Sequence, residues 1–283
     1  FYLKSKRSVT KPKAEGPAAY VFPGDDARPG AQAALLRVLQ LQGCEVSKAT
    51  AAFTIEMPKK KASPRGEAGK DDKANTSQAA TEAKKDEKKT EPRTFPAGSY
   101  IVRMDQPYSR IADALLDYQF WSPSDPQKNP YDDTGWTFGE LFNVQVARVT
   151  DTRVLDVAME RLIAPAAAPS GVEGTGTTFI VNNDTDPSLL ALRYRFASVP
   201  FDVAEEPFEV SGRTFNRGSF IIRNVDAAAL ATAARDLGLK VYAAGSAPTV
   251  KAHAATAPRI GYVHTWLSTQ DEGWWRIELD KLE

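Results

Sequence analysis

Cysteine and histidine are almost missing from this chain, and their scarcity excludes more chemistry than any motif present supports. A single cysteine, Cys44, leaves no intrachain disulfide and no thiolate metal cluster to be built. The two histidines, His253 and His264, stand eleven positions apart. Neither has a second histidine or a carboxylate at the three- or four-residue spacing that puts two zinc ligands on one helix face. Charge of one sign is also missing, since Lys+Arg and Asp+Glu both number 36. That balance argues against a nucleic-acid partner, whose phosphates call for an excess of cations, and against a polybasic membrane anchor. No apolar run approaches the roughly 20 residues of a spanning helix. No signal peptide is visible, and Phe1–Arg7 reads as the frayed end of a helix from an upstream element, with residues 1–17 as its linker.

What the chain does contain is a repeat. Arg93-Thr94-Phe95-Pro96-Ala97-Gly98-Ser99-Tyr100-Ile101-Val102-Arg103 aligns without a gap on Arg213-Thr214-Phe215-Asn216-Arg217-Gly218-Ser219-Phe220-Ile221-Ile222-Arg223. The flanks agree. Tyr20-Val21-Phe22 and Phe179-Ile180-Val181 read as buried strands, each followed by a polar turn and then a proline, Pro29 or Pro187. Proline suits the first helical turn, which has no use for its missing N–H, and Asp186 is placed to cap the second helix. The first helix presents Ala31, Leu35, Val38 and Leu39 on one face and stops at Gly43; the second runs over 187–196.

Strands follow near Glu45–Ser47 and Asp202-Val203. The reading then pairs Phe53–Ile55 with Ser99–Val102, and Phe208–Val210 with Ser219–Ile222 around a Ser211-Gly212 turn. Helices near Tyr108–Tyr118 and Asp226–Leu237, the latter ended by Gly238, lead to closing strands Val144–Val149 and Leu239–Tyr242. The expected fold is α/β: two β-α-β-β-β-α-β units with mostly parallel sheets, over 18–160 and 161–250.

Two insertions interrupt the first unit. Residues 57–92 are dominated by Lys, Glu, Asp and Ala and cannot bury enough surface to offset their ordering entropy, so disorder is predicted. Acids interleave their lysines and aromatics are missing, which speaks against a nucleic-acid arm. Residues 119–136 are rich in Pro, Asp and Tyr and read as an ordered surface loop. Beyond 250, Arg259–Val263 reads as a strand, and Asp271–Arg276 opens a helix running to the chain end.

Nucleophiles are few. Cys44 has no adjacent cation to activate it and reads as a small core residue. Ser99 and Ser219 lie in Gly-Ser-aromatic contexts, unlike a Gly-x-Ser-x-Gly elbow, and their repetition favours a role in turn geometry. Gly171–Gly176 lacks a Gly-Lys-Ser/Thr ending and reads as a linker, not a phosphate cradle. Carboxylates remain. Asp105 precedes Pro107, and Asp132-Asp133 stand beside Tyr131 and Trp136; two nearby acids can share acid/base work, whereas capping and turn formation need no chemistry. No catalytic, cofactor or metal residue is assigned. Asp105, Tyr131, Asp132, Asp133, Trp136 and His264 are carried forward as surface candidates, His264 because ligands bind beyond strand ends in open α/β sheets.

Four strings together resemble one family: Phe95-Pro96-Ala97-Gly98-Ser99-Tyr100, Met104-Asp105-Gln106-Pro107-Tyr108, Tyr131-Asp132-Asp133-Thr134-Gly135-Trp136 and Asp271-Glu272-Gly273-Trp274. They are similar to the C-terminal half of large bacterial proteins of the carboxypeptidase A-like zinc metallopeptidase family, over roughly Ala18 to Glu283. The resemblance implies a zinc carboxypeptidase domain upstream, a non-catalytic α/β region here, and the start of a class I glutamine amidotransferase-like domain at 251–283. Zinc belongs to the upstream domain, since the family's His-x-x-Glu, distant His and glutamate base have no counterpart in this chain. The partners implied are that peptidase domain and a peptide substrate, in a periplasmic or secreted parent. Two other readings are an autonomous peptide- or carbohydrate-binding module and a hydrolase using Asp105 and Asp132.

Overall fold

The computed structural model describes residues 1–58, 90–118, 137–267 and 269–280. Along the chain these residues form α1 (Tyr2–Thr10), β1 (Ala19–Phe22), α2 (Pro29–Leu41), β2 (Ser47–Ala49), β3 (Phe53–Pro58), β4 (Thr90–Phe95), β5 (Tyr100–Arg103), α3 (Ser109–Leu116) and α4 (Phe138–Leu141). Then come β6 (Ala147–Val149), β7 (Met159–Arg161), β8 (Gly171–Gly174), β9 (Thr178–Val181), α5 (Ser188–Arg195), β10 (Phe201–Ala204), β11 (Phe208–Val210) and β12 (Arg213–Phe215). The series ends with β13 (Phe220–Ile222), α6 (Ala227–Asp236), β14 (Lys240–Ala244), β15 (Ala252–Ala255) and α7 (Thr269–Asp280). The fold is mixed α/β. It divides into two compact units: Phe1–Gly24 with Cys44–Asp113 and Val146–Arg161, and Asp25–Gly43 with Ala114–Gln145 and Leu162–Glu283.

In the first unit a five-stranded sheet runs β6-β1-β5-β2-β7. Its four neighbouring pairs are all antiparallel. The sheet of the second unit runs β15-β10-β13-β9-β14-β8, and only β8 with β14 is parallel. The expectation of mostly parallel sheets is therefore corrected. A crossover helix does make β1 and β2, or β9 and β10, point the same way. Yet an oppositely directed strand, β5 or β13, lies between the members of each pair, as in a split β-α-β arrangement.

The expected hairpins are corrected as well. Phe53 faces Phe95 and Ile55 faces Arg93, so β3 pairs with β4. Likewise Phe208 faces Phe215 and Val210 faces Arg213, pairing β11 with β12. Strands β5 and β13 instead enter the large sheets. Between hairpin and sheet the chain turns at Gly98 (φ +86°) and Gly218 (φ +88°), a left-handed backbone that a Cβ would strain. The hydroxyl of Ser99 donates to Pro96 O (2.7 Å) and accepts from Gly24 N (3.0 Å). That of Ser219 donates to Asn216 O (2.7 Å) and accepts from Asn183 N (3.0 Å). Both serines are fully buried. The hairpin phenylalanines stack with centroids 5.3 Å apart in each unit, Phe53 on Phe95 and Phe208 on Phe215.

Alternation and helical periodicity fill the cores as the residue pattern requires. In the first unit Val21, Ile55, Phe95, Ile101 and Val149 pack together, and in the second Phe179, Val181, Leu192, Phe201, Ile222, Leu230 and Val241 do so. Asp226 caps α6 by accepting from Ala229 N, and Gly238 (φ +67°) ends it. In α2, Leu35 and Leu39 are fully buried.

Three further expectations change. Gly171–Gly174 is an edge strand rather than a linker, because β14 offers it an unpaired edge. Arg259–Val263 forms no strand: among the described residues no neighbour supplies the ladder bonds that an isolated extended segment needs, and Ile260, Tyr262 and Val263 are exposed. Met57-Pro58 and Thr90–Pro92, assigned at sequence level to the disordered insertion, belong to the β3–β4 ladder. The remainder of that insertion, and the 119–136 loop, lie outside the described residues.

The serine anchors generate a stability prediction. Ser99→Ala removes two bonds at a buried turn and Ser219→Ala those two plus a 3.3 Å bond to Asn182 Oδ1, and each should lower unfolding free energy by about 1–2 kcal/mol in urea titrations.

Candidate functional site

Of the surface candidates, Tyr131, Asp132, Asp133 and Trp136 lie outside the described residues. Asp105 is held in a two-pronged ion pair, accepting from Arg103 Nε at 2.9 Å and Nη2 at 2.8 Å. The guanidinium holds its carboxyl below the usual carboxylate range, the opposite of what a general acid needs. Arg103 Nη1 in turn donates to Leu155 O (2.6 Å), so the pair fastens two segments of the first unit. His264 lies on an exposed stretch and stacks on Tyr262, with centroids 6.2 Å apart. His253 is in β15, and its Nδ1 is 3.3 Å from Glu205, which also pairs with Lys251 (2.6 Å).

Cys44 is buried, with its Sγ 3.7 Å from Tyr108 O, and burial pushes its thiol pKa up, away from a reactive thiolate. Among the described residues no group of three His, Cys, Asp or Glu side chains converges as a metal site. No described helix is long and apolar enough to cross a membrane.

The grouping that sequence reasoning missed lies wholly in the second unit. A cavity of about 170 Å³ is lined by Arg28, Ala31, Phe142, Asp184, Thr185, Asp186 and Pro187. Two X-Pro helix starts build it: Arg28-Pro29 opens α2, and Asp186-Pro187 opens α5. The Asp186 carboxylate accepts from Ser188 N (2.8 Å), a local turn bond just ahead of α5, whose N-cap is Pro187 rather than the expected Asp186. Its Oδ2 also lies against Gly30, where an added Cβ would come within 1.6 Å. Asp26 accepts from Arg28 N (2.8 Å) and Gln145 N (2.7 Å), fixing the arginine's backbone. With the Asn143 amide turned so that its oxygen faces Arg28, that oxygen accepts from Nη1 (2.8 Å) and Nη2 (2.9 Å).

Asp184 accepts from Asp186 N (3.1 Å), and burial pushes its carboxyl above the ordinary value while nearby Arg28 pulls it back. Thr185 (φ +65°) and Asn143 (φ +51°) both adopt the left-handed region at this wall, which is costly for a β-branched residue such as threonine. The available signal was the alignment of Pro29 with Pro187. Their partners 28 and 186 stand too far apart for spacing to join them.

Comparison with family models, with curated proteins and with solved structures finds no match for this chain.

Two predictions follow from these carboxylates. Gly30→Ala forces its methyl onto an Asp186 oxygen that cannot swing away without releasing Ser188 N, and should cost about 1–3 kcal/mol in thermal or urea unfolding. In the first unit Asp151 is lowered to about 2, chiefly by Arg153, with help from the Glu56 and Arg153 amides. A folded pKa below the unfolded value of about 3.9 stabilises the native state above that value, and this contribution fades as pH falls toward 2. Asp151→Asn should therefore flatten the loss of stability between about pH 4 and 2, relative to the wild type, in acid titrations followed by circular dichroism.

Proposed function

We propose that this chain is a non-catalytic scaffold: the accessory region of a zinc metallocarboxypeptidase-like parent, built from two copies of one split β-α-β unit with an inserted hairpin. The observation that carries the scaffold reading is how the chemically capable side chains are engaged. Ser99 and Ser219 spend their hydroxyls on matching turn bonds, Asp105 is tied to Arg103, and Cys44 is buried. The copies are supported by shared strand order, by the serine anchors and by the stacked hairpin phenylalanines.

The parent is argued from resemblance, through the Phe95–Tyr100, Met104–Tyr108 and Asp271–Trp274 strings. On this reading the zinc and the peptide-cleaving chemistry reside in an upstream domain, which is also this region's partner. Residues 251–283 begin an amidotransferase-like domain, and the parent is periplasmic or secreted. The 283-residue chain has the task of holding the peptidase domain in place.

The test compares the isolated chain with the longest polypeptide its gene encodes. Zinc content and release of C-terminal residues from peptides are measured for both. The expected result is one zinc and chelator-sensitive release in the long polypeptide, and neither in the isolated chain. A long polypeptide without zinc or peptidase activity would remove the parent, leaving the autonomous peptide- or carbohydrate-binding module in its place. Hydrolysis by the isolated chain, lost in Asp105→Asn, would overturn the scaffold.

A further inference from the structure

The cavity between the starts of α2 and α5 holds opposite charges that do not meet. Arg28 and Asp184 both line it, and Arg28 acts weakly on the Asp184 carboxyl, yet among the described residues neither side chain closes an ion pair. Each is restrained by a neutral partner: Asn143 holds the guanidinium from one side, and Asp186 N holds the Asp184 carboxylate. A part-buried cation and a part-buried anion thus line the same cavity, where a ligand carrying both charges can reach them. The other acids are already occupied, Asp26 by Arg28 N and Gln145 N, and Asp186 by Ser188 N. Phe142, Ala31 and Pro187 provide the apolar walls, the mixture of surfaces that a small-ligand site requires.

We propose that this cavity binds a small free α-amino acid, its carboxylate on Arg28 and its ammonium on Asp184. A zwitterion satisfies both groups at once and adds no net charge, whereas a lone anion would face the carboxylates of Asp184 and Asp186 and a lone cation would face Arg28. The cavity of about 170 Å³ is smaller than most ligand pockets, which suits a single amino acid rather than a peptide. Arg28 presents further N–H donors beyond those turned to Asn143, in the planar fork that suits a carboxylate. The inference stands on the cavity alone and does not depend on the parent enzyme proposed above.

Isothermal titration of the 283-residue chain tests it. Glycine and alanine should bind saturably with a dissociation constant of about 1 mM, within reach of a ligand of five or six heavy atoms. N-acetylglycine (no ammonium) and glycine amide (no carboxylate) should each bind about tenfold or more weakly, since each loses one charged contact. Arg28→Gln and Asp184→Asn should cause similar losses with an unchanged unfolding midpoint. Should either variant misfold, the ligand series on the wild type decides alone. Absence of saturable glycine binding, equal affinity for N-acetylglycine or glycine amide, or undiminished binding by both folded variants would each overturn the proposal.

Discussion

A serine hydroxyl buried at a turn is the constraint from which each sheet of this protein takes its order. Just before Ser99 and Ser219 the backbone leaves a hairpin, passes a left-handed glycine and must re-enter as the middle strand of a larger sheet. Reversing direction in the interior exposes backbone groups that no regular ladder can satisfy. The hydroxyl closes the turn on the carbonyl three residues back and reaches across to the amide that follows the neighbouring strand, Gly24 N or Asn183 N. The backbone reinforces it: Gly98 N donates to Ala49 O and Ala49 N to Ser99 O, as Gly218 N does to Ala204 O and Ala204 N to Ser219 O. Three segments distant in sequence are thereby fixed at one point, and the central strand is aligned between its neighbours.

The elements were more legible in the sequence than their pairing. Apolar runs marked β1 and β9, and Pro29, Gly43, Asp226 and Gly238 bounded helices close to where they occur, because capping and left-handed residues act locally. Direction failed for a topological reason. A strand-helix-strand crossover fixes that β1 and β2 run alike, but says nothing about whether a later strand will lie between them. The same gap misassigned the hairpins, since Arg-Thr-Phe and the strand beginning at Tyr100 or Phe220 form one continuous string while serving two different sheets. Arg259–Val263 has the composition of a strand without a partner, and Gly171–Gly174 has a partner without the composition. The cavity residues were the least legible. Arg28 and Asp184 line one cavity only because two loops distant in sequence are folded together.

Environment sorts the acids of this protein into distinct roles. Asp151 and Asp105 each face an arginine fork, which favours the charged form, and both are mechanical fasteners. Asp184 is desolvated and left without such a fork, so its charge is held at a cost. Carboxylates that look alike in composition thus differ by what nitrogen reaches them, and the under-served Asp184 lines a cavity.

The hairpins β3–β4 and β11–β12 share a stacked phenylalanine base but differ in length. One closes at Ser211-Gly212 after three residue pairs, and the other carries six pairs and thirty-one further residues beyond them. Once the base is fastened, what grows from its far end leaves the frame untouched, because adding loop length costs free energy only logarithmically. The Ser211-Gly212 tip is accordingly a natural graft point, where a reporter or an epitope can be spliced in while the sheet below keeps its register.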